Sequence, residues 1–172
     1  MRCFGLFAIL VAATMPVLAD DVPDYIAASH RQAIRTWLND HPTYRLATPA
    51  DCQCDDDIKL LRQGDGGAWA PQPSYEPYAA VGDFDGDGVE DLAVVAIPAH
   101  SPDPILVVVS FGSKSGRDRE TVVIPEKGAS AVDRGLFVRP PNPGHRRWRL
   151  LFGAFGSEAD EVPIKRKTRS TS

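Results

Sequence analysis

The chain has 172 residues, 43% hydrophobic and 24% charged, with 14 glycines, 15 prolines and a formal net charge of −4. This is a globular composition, and it excludes a collagen, a coiled coil, a wholly disordered chain and a multi-pass membrane protein. The length allows one domain or two very small ones.

In chain order, residues 1–19 read as a secretory signal peptide. Arg2 precedes an apolar run from Cys3 to Leu18, and Val17-Leu18-Ala19 offers a small-residue cleavage site. The run falls short of the roughly 20 apolar residues that span a bilayer, and Asp20 and Asp21 follow at once. The expectation is a periplasmic or secreted protein with no integral membrane segment after cleavage. The 153 residues from Asp20 onward can bury roughly two thirds of their unfolded surface, so one domain over 20–164 is expected.

Asp24 is placed to cap a helix whose apolar positions Ile26, Ala27, Ala33, Ile34, Trp37 and Leu38 recur at helical spacing as far as His41-Pro42. His30, Arg31, Arg35 and Asp40 fall mostly on its wet side. A connection through Tyr44 and Leu46 leads to DCQCDDD, which holds Cys52 and Cys54, the two cysteines left after cleavage. Cysteines two apart can close a local disulfide in an oxidising compartment. The alternative is a redox dithiol or a thiolate metal site, against which stand three neighbouring aspartates that raise a thiol pKa and the absence of a second Cys or His pair. Asp55 or Asp56 caps a short second helix carrying Ile58, Leu60 and Leu61 and ended by Gly64.

Residues 63–78, QGDGGAWAPQPSYEPY, combine glycine, aspartate and proline in a pattern that suits neither helix nor central strand. Trp69, Tyr75 and Tyr78 in this loop are either a shallow ledge for a glycan or protein ligand or a cover packed onto a sheet. Five β-branched and aromatic runs follow: 91–97, 104–111, 120–125, 135–138 and 147–155. Helices followed by short strands and brief turns describe an α+β fold with N-terminal helices on an antiparallel sheet. Residues 165–172 gather Lys165, Arg166, Lys167 and Arg169 without an acidic residue and read as a basic, unstructured tail. The body from Asp20 to Ile164 holds 14 basic and 23 acidic residues, which argues against a nucleic-acid partner.

The strongest signal is VGDFDGDGVEDLAVV. Asp83, Asp85, Asp87 and Asp91 occupy positions one, three, five and nine of a loop that also holds Gly86 and Gly88. Four carboxylates so close repel one another unless a hard cation neutralises them, and alternate oxygen ligands on a tight turn suit calcium (Ca²⁺). Val89 at position seven contributes its carbonyl, as in other calcium loops. An EF-hand requires a glutamate at position twelve and flanking helices; here Val94 stands at twelve and the flanks YAAVG and LAVVAI are strand-like. The metal ligands expected are therefore Asp83, Asp85, Asp87, Val89 and Asp91, in a hairpin loop over 83–91.

These residues resemble the DxDxDGxxD calcium loops of FG-GAP and VCBS-type repeats, found in integrin-like β-propellers and in exported bacterial proteins. The resemblance covers about residues 80–98 and implies that Asp83, Asp85, Asp87 and Asp91 are side-chain ligands and Val89 a carbonyl ligand. The family's closing Gly-Ala-Pro is here Ala96-Ile97-Pro98, and no Phe-Gly pair stands just before the loop. The loop occurs once, whereas a propeller needs at least about four blades, so the fold is not a full propeller.

His30, His41, His100 and His145 are scattered without HExxH spacing, and no nucleophile elbow, phosphate loop or dinucleotide fingerprint is present. The reading is an exported, non-catalytic calcium module with a binding or structural role. Its alternatives are a periplasmic hydrolase that uses the Trp69–Tyr78 loop and an inhibitor that presents the same loop to a protein partner.

Overall fold

The computed structural model describes residues 22–23, 25–64, 71–112, 121–126, 130–155 and 159–164. Residues 1–19, expected to be a signal peptide, Asp24, Trp69 and residues 165–172 lie outside the described residues. The first helix, α1, spans Ala28–Asp40 and starts later than its apolar spacing suggests. Its N-cap is Ala27, in an extended conformation and without a side-chain cap. His30, Ile34 and Trp37 form its buried face, at the i, i+4, i+7 spacing of one helical side. His30 is thus not on the wet side: it is 3% exposed, and its Nδ1 lies 3.2 Å from the hydroxyl of buried Ser110.

Between this helix and the cysteines the chain forms β1 (Tyr44–Leu46) and a one-turn helix, α2 (Pro49–Cys52), neither of which the sequence reading anticipates. α2 is held by a reciprocal cap between Thr48 and Asp51 with Pro49 in its first turn, which satisfies donors that a short helix leaves open. Asp51 also accepts two hydrogen bonds from the Arg45 guanidinium, at 2.6 and 2.8 Å. The next helix, α3 (Asp55–Gln63), has Cys54 rather than an aspartate at its N-cap. Asp55, Asp56 and Asp57 occupy its first turn, where negative charge meets the positive end of the helix dipole. Gly64 ends it at φ 76°, with its N–H bonded to the Leu60 carbonyl.

The larger sheet contains β1, β2 (Ala79–Gly82), β3 (Asp91–Pro98), β4 (Ile105–Ser110) and β5 (Thr121–Glu126), all antiparallel, in the order β1-β3-β4-β5 with β2 also paired to β3. β3 is central and covered on both faces. Leu92, Val94 and Ala96 pack with Ile34 and Trp37 of α1, while Ala93, Val95 and Ile97 belong to the second core cluster. Alternate residues of a strand point to opposite faces, so double coverage explains why DLAVVAI is apolar throughout instead of alternating.

The last three strands form a separate antiparallel sheet, β6 (Arg134–Arg139), β7 (Arg149–Ala154) and β8 (Asp160–Glu161), in that order. The expectation of one sheet is corrected here. β6 does not continue the first sheet beyond β5; its Leu136 N–H bonds the Pro77 carbonyl, and Leu136, Leu150 and Phe152 pack in the same core cluster as Val95 and Val107. The described residues thus make an α+β fold in which α1 covers one face of the larger sheet and the smaller sheet, with Cys52, Cys54 and Ile58, packs toward the other. The sheets are not closed into a barrel or propeller. No described helix is long and apolar enough to cross a membrane.

Candidate metal centre

Residues 83–90 join β2 to β3, and the strand register sets Gly82 opposite Asp91 at the mouth of the loop. Phe84 is fully buried and anchors the loop; a Cβ on Gly82 would lie 3.0 Å from its ring and 3.3 Å from Trp148. The loop turns through Gly86 at φ 83° and Gly88 at φ 82°, conformations that glycine adopts at little cost. Its aspartates bond successive backbone N–H groups. Asp83 accepts from Gly86 at 2.7 Å and from Gly88 at 2.9 Å, Asp85 from Asp87 at 3.0 Å, and Asp87 from Val89 at 2.8 Å. Such local bonds are the ordinary chemistry of Asx turns, and they fix the carboxylates in place.

Asp91 differs from the others. It is the first residue of β3 and is fully buried. Its Oδ2 accepts from the Phe84 N–H and its Oδ1 from the Gly112 N–H, both at 2.7 Å. Burial pushes its carboxyl up to about 6; the two backbone hydrogen bonds oppose that rise, and the nearby charges of Asp85 and Asp83 add to it. No described lysine or arginine forms an ion pair with it.

Asp83, Asp85 and Asp91 each offer an oxygen within 4.8 Å of the others. A cation with metal–oxygen distances of roughly 2.3–2.6 Å can touch oxygens up to about 5 Å apart, so these three carboxylates could hold one ion. The identity of such a metal is not fixed by this spacing. Each carboxylate has about four lone-pair sites, so the backbone bonds leave room for coordination. Of the four expected side-chain ligands, Asp87 lies outside this group of three. Asp87 is exposed in the same loop, and Glu90 is exposed at its end.

Gly112 escaped the sequence reading. A Cβ there would run into the Glu90 carbonyl oxygen and lie 2.5 Å from Val89 Cγ1, so only glycine lets the end of β4 approach closely enough to bond Asp91. Its signal was a glycine directly after an apolar strand, at Phe111-Gly112. Trp148 is the other unforeseen contributor, since its N–H bonds the Asp83 carbonyl at 2.8 Å.

The structure does not gather the remaining candidates at this loop. Cys52 and Cys54 are joined in a disulfide with Cα atoms 5.1 Å apart, buried beneath the start of β6. The bridge is the local disulfide that their spacing allows, not the thiolate alternative. Tyr75 and Tyr78 are 8% and 2% exposed, so neither presents a ring to a ligand at the surface. Tyr75 stacks on Phe137, with centroids 5.7 Å apart, and meets Phe155 edge-on; Tyr78 donates its hydroxyl to the Ala131 carbonyl. Their apolar bulk is worth more against the smaller sheet than in water, which corrects the ledge in favour of the cover. Comparisons with models of known protein families, with curated proteins and with solved structures found no match.

Proposed function

We propose that the loop over 83–91 binds calcium and that the protein is an exported, non-catalytic module whose β2–β3 hairpin the ion stabilises. The observation that carries this reading is the fully buried Asp91 carboxylate, with oxygens of Asp83 and Asp85 within 4.8 Å and no cationic side chain among the described residues paired to it. Burying a carboxylate among like charges is costly, and a divalent cation offsets that cost. Calcium is favoured over magnesium because an all-oxygen cage of carboxylates and carbonyls suits its larger, more flexible coordination. Asp87 and the Val89 carbonyl complete the set in this reading, as the likeness to FG-GAP and VCBS loops implies.

The test is a thermal melt of metal-stripped protein in chelator, then with calcium or magnesium across the micromolar to millimolar range. Extracellular modules bind calcium at about 10⁻⁴ to 10⁻³ M, and ligand at ten times Kd stabilises by about 1.4 kcal/mol. Calcium is expected to raise the midpoint and Asp85→Asn to abolish the rise. An equal rise in that variant, or no rise in the parent protein, refutes the site.

A further inference from the structure

The stretch between Asp133 and Glu158 contains five arginines and a histidine and not one carboxylate, in a chain whose net charge is negative. The fold concentrates this charge. Arg139 and Arg149 are direct cross-strand partners, the last pair of the β6–β7 ladder. Such partners share a face, with Cβ atoms roughly 4.5–5.5 Å apart, and like charges there repel. Beyond them the connection 140–148 is exposed almost throughout, and it carries His145, Arg146 and Arg147 at the surface. None of Arg139, Arg146, Arg147 and Arg149 is ion-paired with a described carboxylate.

Two neighbours bear on this patch. The acidic loop lies beside it, because a Cβ on Gly86 would be within 4 Å of both Arg146 and Arg147, yet those guanidiniums form no ion pair with its aspartates. Arg147 instead donates to the Ile164 carbonyl at 2.5 Å. Ile164 is followed in sequence by Lys165, Arg166, Lys167 and Arg169.

We propose that this end of the β6–β7 hairpin, with Arg139, Arg146 and Arg149 as its principal contacts, docks the protein on an anionic phospholipid surface. Cationic groups strung along an exposed strand end and loop match a plane of negative headgroups. A discrete anion would call instead for donors converging in a concave pocket. The unrelieved repulsion between Arg139 and Arg149 is lowered when phosphates lie between them.

The experiment is co-sedimentation of the protein with phosphatidylglycerol and with phosphatidylcholine vesicles at low ionic strength, in chelator so that calcium bridges no lipid. The readout is the ratio of the two partition constants, which cancels any contribution of the apolar residues 3–18 where they are retained. Each basic residue near an anionic surface strengthens attachment about fivefold. The variant Arg139→Gln/Arg146→Gln/Arg149→Gln, which spares the Arg147–Ile164 bond, is therefore expected to lower the ratio at least tenfold with its melting midpoint no lower than the parent's. A ratio near one in the parent, an unchanged ratio in the variant, or capture by soluble heparin without capture by phosphatidylglycerol overturns the proposal. Because the assay contains no calcium, its failure and that of the calcium reading are separable.

Discussion

Gly112→Ala is the sharpest probe of how the acidic loop is held. The new Cβ meets the Glu90 carbonyl oxygen well inside contact distance, Val89 Cγ1 at 2.5 Å and the Glu90 carbonyl carbon at 3.2 Å. Two of these three atoms are backbone, so a side-chain rotation does not relieve the clash, and either the loop or the end of β4 must move. Overpacking of this kind costs roughly 1–3 kcal/mol. The movement also stretches the 2.7 Å bond from Gly112 to Asp91, and a hydrogen bond to a charged group is worth about 1.5–3 kcal/mol. The two effects share one displacement and do not add fully, so the expected loss is about 2–4 kcal/mol. Urea unfolding, with an unchanged m-value, measures it. A change below about 0.5 kcal/mol would mean that Gly112 is not a close-approach position and that Asp91 is held without it.

Gly88→Ala separates clash from backbone strain: no atom lies within 4 Å of the added Cβ, but φ is 82°, so a loss of about 1 kcal/mol is expected, clearly smaller than at Gly112. The two buried tyrosines should respond in opposite directions. The Tyr75 hydroxyl has no hydrogen-bond partner among the described residues, so Tyr75→Phe is expected to be neutral or to stabilise by up to about 1 kcal/mol; Tyr78→Phe strands the Ala131 carbonyl and should cost about 1–2 kcal/mol. Chemical denaturation of both variants checks the pair, and equal losses would contradict it. Hydrogen bonding from Arg45 holds the Asp51 carboxyl down at about 2, against burial, with Thr48 adding to the effect. A depressed carboxylate stabilises above its unfolded pKa of about 4 and loses that contribution as pH falls through about 2. Arg45 is 41% exposed, which limits the pair to about 1 kcal/mol or less. Asp51→Asn should remove that acid-side slope, and an identical pH profile in parent and variant would refute it.

The long strands were legible because each is a run of β-branched and aromatic residues bounded by turn residues, and β3, β4 and β5 lie within a residue or two of where those runs fall. β1, α2 and β8 have three, four and two residues, too few for any periodicity to emerge. The division into two sheets is a tertiary choice that alternation does not encode, since Leu136 and Val107 have the same apolar character whichever sheet they join. His30 was misplaced for a different reason. Its spacing to Ile34 already put it on the buried side of α1, and the polarity of the ring outweighed that geometry; the Ser110 hydroxyl makes burial tolerable. At the acidic loop, the spacing of the aspartates named Asp83, Asp85 and Asp91, whereas Gly112 and Trp148 come from segments 21 and 57 residues beyond Asp91 and carry no local pattern that ties them to it.

Asp91 begins the strand that joins both halves of the core, with α1 on one side and the smaller sheet on the other. Amide hydrogens of such a strand exchange only when the molecule opens globally, while loops and ends fray at far lower free energy. The carboxylate therefore sits at the boundary between a strand buried on both faces and an exposed turn. A force applied at the turn is delivered to β3 itself, and a change of charge at Asp91 alters the unfolding equilibrium of the entire packed unit. Hydrogen exchange along Leu92–Ile97 would thus register events in a loop that those residues do not form.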